Sequence, residues 1–194
     1  MVAATLEPPV LLVAMPQVLD PFFHKSVVLL LHHDEQGSFG LIINRTTGIQ
    51  VAEILRGMEI SWAGPDDALA FFGGPVQPQL GTVLYAAAAQ AEVEEANSTE
   101  IRPGLRMSQH MTELTALAER PPGFFRLVLG YAGWGEGQLL DEILRHDWLP
   151  VPIAEDLLYA TPADELWTAA LRSVEVDPDA LPAWTPGADE ETTN

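Results

Sequence analysis

The sequence contains no cysteine. This absence excludes disulfides, thiol nucleophiles and thiolate metal ligands, and it removes redox and zinc-finger chemistry with them. At 194 residues, with 47% hydrophobic and 19% charged residues, the chain has the composition of a globular protein that buries a large core. We therefore expect one folded domain.

Cationic residues are scarce: 9 Lys and Arg stand against 28 Asp and Glu, which gives a formal net charge of −19. Nucleic-acid affinity rests largely on Lys and Arg that displace counterions from phosphates. No run of three cations occurs anywhere in the chain. The composition therefore disfavours direct nucleic-acid binding and favours solubility and a basic partner.

The chain also lacks a long apolar run near its beginning. Its first residues have no basic stretch, and the apolar run Val10–Met15 is bracketed by Pro8, Pro9 and Pro16. Neither a signal peptide nor a membrane span fits this pattern. We expect a cytoplasmic protein with no membrane partner.

The stretch Leu11–Asn44 alternates apolar runs with polar and proline-containing turns. Apolar, β-branched runs of this length predict strands at Leu11–Ala14, Ser26–His32 and Phe39–Asn44. The polar segment His33–Gly37 is predicted as the turn between the last two.

The remainder of the chain predicts further strands and helices. Strands are predicted at Leu69–Phe72, Gly81–Tyr85, Ile101–Met107, Phe124–Tyr131 and Trp148–Val151. Helices are predicted at Ile49–Met58, at Gln109–Glu119 with Ser108 as N-cap, at Gln138–His146, and after Thr161 as N-cap with Leu166, Trp167, Ala170, Leu171 and Val174 buried. The Ala- and Glu-rich segment Ala86–Glu100 is left open between a helix and a mobile loop.

The domain organisation follows from these elements. Residues 1–9 are predicted as an N-terminal arm, and residues 10–176 as a single domain. Residues 177–194 are acidic and contain proline, so we predict a flexible tail.

Polar side chains in the turns of Leu11–Asn44 are the main candidate binding residues. We predict that they converge at one rim of the sheet: Asp20, His24, Lys25, Ser26, His33, Asp34, Asn44 and Arg45. An alternative is a hydrolase that uses Ser26, His33 and Asp34, although the chain has no G-x-S-x-G motif. Because the adjacent His32 and His33 of a strand point to opposite faces, we predict no metal site, and we assign no catalytic residue.

Two glycine-rich segments are a second set of candidates. Gly73 and Gly74 are predicted as a tight turn that ends a strand, and the segment Gly130–Gln138 as a structural loop; the residues singled out in the latter are Gly133, Trp134, Gly135 and Gln138. The alternative is a nucleotide-binding loop. Neither G-x-G-x-x-G nor G-x-x-x-x-G-K-[ST] is present, and Glu136 would repel an anion.

Three motifs together carry a family resemblance. They are LLVAMPQVLDPFFHKSVVLLLHHDEQGSFGLIINR (Leu11–Arg45), FFGGPVQPQLGTVLY (Phe71–Tyr85) and LGYAGWGEGQLLDEILRHDWL (Leu129–Leu149). With LLYATPADELWTAAL (Leu157–Leu171), they resemble the YqgE/AlgH family of small bacterial proteins in order along the chain. The departures are Lys25, where the family usually has Arg, Leu31, where it often has Cys or a polar residue, and Ala86–Arg102, which has no match.

The resemblance implies a single α+β domain in which a mixed, bent β-sheet is partly closed into a small barrel, with helices packed around it. It implies little about activity, because the family's biochemical role is undefined and only some members are labelled transcriptional regulators. It supplies no catalytic residues.

We therefore predict a non-enzymatic cytoplasmic protein that binds a protein or small ligand, with a regulatory outcome and without a cofactor. The alternatives are the hydrolase or nucleotide-binding protein described above, and a transcriptional regulator. The net charge of −19 disfavours the last as a direct DNA binder. The sequence leaves the partner and the oligomeric state open.

Overall fold

The structure is a computed structural model that describes residues 6–87 and 97–182. Its strands are β1 (Val10–Ala14), β2 (Val27–Asp34), β3 (Gly37–Ile42), β4 (Thr46–Gln50), β5 (Leu69–Phe72), β6 (Val76–Ala86), β7 (Thr99–Arg102), β8 (Leu105–Ser108), β9 (Phe125–Gly135) and β10 (Trp148–Val151). Its helices are α1 (Val51–Gly57), α2 (Met111–Glu119), α3 (Gln138–Leu144), α4 (Glu155–Tyr159) and α5 (Leu166–Arg172), followed by a 3-10 turn at Pro178–Ala180.

The strands form one curled sheet in the order β10-β1-β2-β3-β9-β6-β8-β7, with β4 and β5 joined to it beside β9. All pairs are antiparallel except β5 with β9, which is parallel. The sheet is therefore mixed and closes partly, as a half-barrel with helices around it. This confirms the predicted single α+β domain.

The core lies on both faces of the central strands. In β1, Leu11 and Val13 pack with α4 and α5 in a first core cluster, whereas Leu12 and Ala14 belong to a second cluster on the opposite face. All four side chains are 0% exposed. Because successive strand residues point to opposite faces, a strand covered on both sides needs the continuous apolar run seen in β1.

Arg126 is the one charged side chain in the buried group of the described residues. Its guanidinium lies between the rings of Phe71 and Phe124, at 4.8 and 4.9 Å, and donates to the carbonyl of Ile43 at 2.8 Å. Burial lowers the pKa of Arg126 to about 10. A buried arginine thus satisfies the backbone carbonyl that follows β3.

Several predicted elements have different bounds. β2 continues to Asp34, so His33 and Asp34 are strand residues and only Glu35 and Gln36 separate β2 from β3. The predicted strand Ile101–Met107 is a hairpin of β7 and β8 that turns at 103–104.

The predicted N-caps are wrong. Ser108 lies in β8, and α2 begins after His110; the Ser108 hydroxyl accepts the His110 N–H at 3.0 Å. Thr161 donates to the Asp156 carbonyl, and α5 begins only after Glu165. The predicted buried face of α5 is nevertheless correct at Leu166, Trp167, Ala170 and Leu171, while Val174 is partly buried against the first cluster.

The terminal segments and the variable segment are described in part. Leu6 packs against the second cluster, and Leu181, within the predicted tail, packs against the first. The undecided segment Ala86–Glu100 falls largely on residues 88–96, which lie outside the described residues. Within the described ranges, no helix is both long and apolar enough to cross a membrane.

Candidate functional site

The candidate rim residues in the turn before β2 form one structural group with Asn44 and Arg45, which follow β3. The Arg45 guanidinium donates to the carbonyl of Pro21 at 2.6 Å and to that of His24. The Asn44 amide donates to the carbonyl of Lys25 at 3.0 Å. These polar side chains are therefore engaged with backbone carbonyls of the Asp20–Lys25 turn, which they tie to the end of β3.

His33 and Asp34 lie at the opposite end of β2. The His33 ring nitrogen Nδ1 is 2.8 Å from Ser38 Oγ, and Asp34 Oδ2 is 2.8 Å from His32 Nε2. Since β2 runs from Val27 to Asp34, its two ends are roughly 23 Å apart at about 3.3 Å per residue. His33 and Asp34 therefore do not join the predicted rim residues at the other end of β2, and the prediction of one rim is wrong for these two residues.

The same distance separates the members of the proposed hydrolase site. Ser26 is 0% exposed, and its hydroxyl has no hydrogen-bond partner among the described residues. His33 and Asp34 are at the other end of the strand that Ser26 precedes. A nucleophile and its base must lie within hydrogen-bond reach, so the interpretation of these residues as a hydrolase site is also wrong.

The predicted Gly-rich loop is mostly strand. Gly133, Trp134 and Gly135 belong to β9 and pair with Phe39, Ser38 and Gly37 of β3. A turn of two residues, Glu136 and Gly137, then leads into α3. Phosphate-binding loops present free backbone N–H groups, but the Gly135 N–H donates to Gln138 Oε1 at 3.1 Å. The prediction of a loop at Gly133–Gly135 is therefore wrong, because these residues are part of β9.

Gly73 and Gly74 lie between β5 and β6, where the chain passes from one side of β9 to the other. A side chain on Gly73 would meet the backbone of Gly130, and one on Gly74 would meet the backbone of Tyr131. Gly74 also has a φ of 148°. The two glycines permit a close approach between two backbones.

A pocket of about 380 Å³ opens where β9, α3 and β10 meet the connection between β1 and β2. It brings together Asp20 from the predicted rim and three residues from the predicted loop. Its lining is Gln17, Val18, Leu19, Asp20, Phe23, Gly133, Trp134, Gln138, Glu142, Arg145, Asp147 and Trp148. We call it the tryptophan pocket.

Glu142 of α3 organises this pocket. Its Oε2 accepts the indole N–H of Trp134 at 2.8 Å and that of Trp148 at 2.7 Å. Its Oε1 accepts the side-chain amide of Gln138 at 2.9 Å. The half-buried carboxylate is thus fixed by three neutral donors, which orient it without neutralising its charge.

Aromatic rings form the walls around this carboxylate. Trp134 and Trp148 pack edge to face with centroids 5.7 Å apart, and Phe23 packs edge to face on Trp148 at 5.8 Å. Such arrangements are the favoured geometry for aromatic pairs. Trp134 and Trp148 belong to the second core cluster and Phe23 packs against it, so the aromatic walls of the pocket are continuous with the core.

The charge of the lining is mostly negative. Asp20, Glu142 and Asp147 supply carboxylates, and Arg145 supplies the cation. The Arg145 guanidinium is committed to Asp147, with Nη2 3.1 Å from Oδ2. The arrangement is suited to a cation, because aromatic faces and an unneutralised carboxylate both attract positive charge.

A second and larger concavity, of about 760 Å³, adjoins the tryptophan pocket. The two share Gly133 and Trp134. We call the larger one the tyrosine groove. The rings of Tyr131 and Phe39 pack together in its wall, with centroids 5.0 Å apart. Its other lining residues are His32, Asp34, Gln36, Gly37, Ser38, Val76, Gln77, Leu80, Met107 and Gln109.

Sequence reasoning missed Phe23, Glu142, Arg145, Asp147 and Trp148 as site residues. The available signal was an acidic residue in a predicted helix that lies between two tryptophans in the sequence. It is weak, since a tryptophan at a strand end is usually core. Within the described residues, no group of three or more His, Asp or Glu side chains is arranged to hold a metal.

Fold and site together define a class: a single-domain α+β half-barrel protein with a concave, aromatic and acidic site at the end of a central strand. The AlgH-like family model matches residues 11–179. The chain belongs to the YqgE/AlgH family, whose members are also named UPF0301 proteins.

The relatives are similar over most of their length. A UPF0301 protein of Myxococcus xanthus is 39% identical over 174 residues, covering 89% of this chain and 93% of the relative. A UPF0301 protein of Shewanella sp. strain W3-18-1 is 36% identical over 172 residues, covering 86% and 90%. Their names state no activity.

Two solved structures share the fold. The solution structure of AlgH from Pseudomonas aeruginosa matches with a TM-score of 0.69 at 33% identity, covering 92% of this chain and 94% of that one. A crystal structure of a Corynebacterium diphtheriae protein matches with a TM-score of 0.69 at 25% identity, covering 86% of each chain.

Proposed function

We propose that this protein is a non-enzymatic, cytoplasmic binding protein that takes a cationic side chain of a partner protein into the tryptophan pocket. The observation that carries the proposal is the state of Glu142. Its carboxylate is half-buried and held by neutral donors, and none of the ion pairs among the described residues includes it.

A negative charge placed this way attracts a cation more strongly than an exposed carboxylate does. Partial burial reduces screening by solvent and salt. A cation that lies over the face of an indole ring gains a further attraction of about 0.5–2 kcal/mol. The net charge of −19 increases the rate of encounter with basic proteins.

A regulatory outcome is part of the proposal. A protein that holds its partner without changing it acts through occupancy, so its effect depends on how much of the partner it binds. The label of regulator that some family members carry is compatible with this mode of action and needs no contact with DNA.

The test is an NMR titration of the full chain with two small probes, N-acetylarginine methylamide and its neutral analogue N-acetylcitrulline methylamide. We expect the arginine probe to shift the indole N–H signals of Trp134 and Trp148, while the signal of Trp62, which is remote from the pocket, stays in place. Citrulline should cause no shift. Equal shifts with both probes, or none with either, would refute a site for cations.

The alternatives lack support from the geometry. The hydrolase residues lie apart, as described above. A nucleotide at α3 would face Glu136, Asp141 and Glu142. A transcriptional regulator that binds DNA directly conflicts with the charge of the chain, and we expect no mobility shift of DNA even at low salt, where electrostatic attraction is greatest.

A further inference from the structure

The last residues of β9 have one free edge. From Ala132 to Gly135, β9 pairs with β3. On its other side β9 pairs with β6, but that ladder ends at the pair of Val76 and Tyr131. Among the strands that the structure describes, none pairs with the second edge of β9 beyond Tyr131.

The direction of the backbone groups follows from one hydrogen bond. The Gly135 N–H donates to Gln138 Oε1 and so points away from β3. Residues two apart in an antiparallel ladder direct their N–H and C=O groups to the same side. The β3–β9 register is regular here, so the N–H and C=O of Gly133 also point to the free edge.

Gly130 sets this direction. Earlier in β9, the Leu129 carbonyl accepts the Gly73 N–H and therefore faces β5, which lies on the same side as β3. Before Gly130, the odd-numbered Leu129 therefore directs its carbonyl toward the side of β5 and β3. After Gly130, the backbone groups of the odd-numbered residues point to the free edge instead. Gly130 has a φ of 71°, as expected of a bulge that reverses the alternation.

The two concavities lie on opposite faces of the sheet at this edge. Trp148 of the second core cluster and Phe23, which packs on it, line the tryptophan pocket, whereas Tyr131 and Phe39 pack on the first cluster and line the tyrosine groove. Both concavities reach Gly133, which is exposed and has no side chain to obstruct an approaching backbone.

We infer that an extended segment of a basic partner protein adds to the β9 edge at Gly133 as a short strand. Its cationic residue enters the tryptophan pocket, and the residue next to it, which is apolar, enters the tyrosine groove. Neighbouring side chains of a strand point to opposite faces, as the two concavities require. This inference rests on the proposed function, which supplies the cationic residue.

Charge complementarity selects the partner. Asp20, Glu142 and Asp147 line the pocket, and Asp34 lies in the groove, so carboxylates flank the edge on both faces. A second copy of this chain carries the same net charge of −19 and is repelled. A segment with Lys or Arg beside an aliphatic or aromatic residue fits both faces.

The experiment begins with a library of random eight-residue peptides, selected on the full chain. Enriched peptides should contain a basic residue next to an apolar one. Each backbone amide of an enriched peptide is then N-methylated in turn. We expect methylation at positions two apart to weaken binding about three- to tenfold, with little effect at the position between them.

Gly133→Pro provides the complementary change in the protein. Proline removes the N–H that faces the edge and leaves the bonds to β3, so it should weaken peptide binding about three- to tenfold. Gly133→Ala keeps the N–H and is the control for an added side chain. If Gly133→Pro does not fold, the methylation series on the unchanged protein decides.

The outcomes separate this inference from the proposed function. Weaker peptide binding by Gly133→Pro, with binding of N-acetylarginine methylamide retained, supports both. Methylation effects without the two-residue period, equal binding by Gly133→Pro, or no enriched peptide while the arginine probe still binds, overturn strand addition alone. No enriched peptide and no probe binding overturn both.

Discussion

The indole N–H of Trp134 donates to Glu142 Oε2 at 2.8 Å, and this bond joins the end of β9 to α3. The indole of Trp148 shares the same oxygen, so α3 is also joined to β10. A charged group that links three elements is fixed in place before any ligand arrives. Such preorganisation reduces the entropy lost on binding.

Arg145 competes with an incoming cation for the carboxylates of the tryptophan pocket. Arg145→Gln removes its ion pair with Asp147 and leaves that carboxylate free. Because Arg145 is largely exposed, we expect a modest effect: binding of N-acetylarginine methylamide should tighten about two- to fivefold. Weaker binding by this variant, measured by NMR titration, would show that Arg145 itself helps to hold the ligand.

Ser26 carries a buried hydroxyl that finds no hydrogen-bond partner within residues 6–87 and 97–182. Ser26→Ala should therefore leave the free energy of unfolding unchanged or raise it by up to about 1 kcal/mol, since it removes an unpaired polar group. Ser108 is the matched control, because its buried hydroxyl bonds the carbonyl of Asn97 and the N–H of His110. Ser108→Ala should cost about 1–2 kcal/mol in urea unfolding. A comparable loss in Ser26→Ala would contradict the placement of Ser26.

Asp34 stabilises the turn between β2 and β3. The backbone N–H of Gln36, followed by the His32 side chain, lowers the pKa of Asp34. The native state thus holds this proton less tightly than the unfolded chain does. The resulting stability is present above the ordinary aspartate pKa and disappears as the pH falls through the lowered value.

The variant Asp34→Asn keeps an acceptor oxygen but loses the charge. We expect its Tm to lie below that of the unchanged protein at pH 7 and to approach it at pH 3. Glu35→Gln, in the same exposed turn, should show a smaller difference at pH 7. A constant difference for Asp34→Asn across this pH range would contradict the assignment.

Arg126 gives a pH dependence of the same sign as that of Asp34, but in the alkaline range. Burial lowers the pKa of Arg126 to about 10, so the unfolded chain binds this proton more tightly than the native state does. The contribution of Arg126 to the free energy of unfolding therefore rises as the pH increases above 10 toward the ordinary arginine value.

The tyrosines also titrate in alkaline solution, but they are present in both proteins. A comparison with Arg126→Met therefore isolates the contribution of Arg126. The stability of the unchanged protein relative to the variant, from urea unfolding, should be greater at pH 10.5 than at pH 8.5. A relative stability that falls over this interval would contradict a desolvated guanidinium between Phe71 and Phe124.

The sequence predicted the elements that depend on apolar pattern. The runs in β1, β2 and β10 and the buried face of α5 were found because burial dictates residue type there. It missed β4, whose residues are mostly exposed, since pairing with β5 rather than burial makes Thr46–Gln50 a strand. It also misassigned Gly133–Gly135, where the ladder with β3 overrides the low strand propensity of glycine.

The site was predicted in fragments. Asp20, Gly133, Trp134 and Gln138 were identified, but two separate sets contained them, because only the folded chain places the β1–β2 connection beside β9. The local signal for Glu142 is weak: an acidic residue in a helix is usually solvated, and what distinguishes Glu142 here is its bonds to tryptophans of two strands outside its helix.

The most direct test of a cation site in the tryptophan pocket compares Glu142→Gln with Glu136→Gln for binding of the arginine probe. Both variants lose one negative charge, but Glu142 lies inside the tryptophan pocket, whereas Glu136 is exposed in the turn outside it. We predict that Glu142→Gln weakens binding of the probe about tenfold or more and that Glu136→Gln changes it less than about twofold. Equal effects of the two substitutions, or unchanged binding by Glu142→Gln, would contradict it.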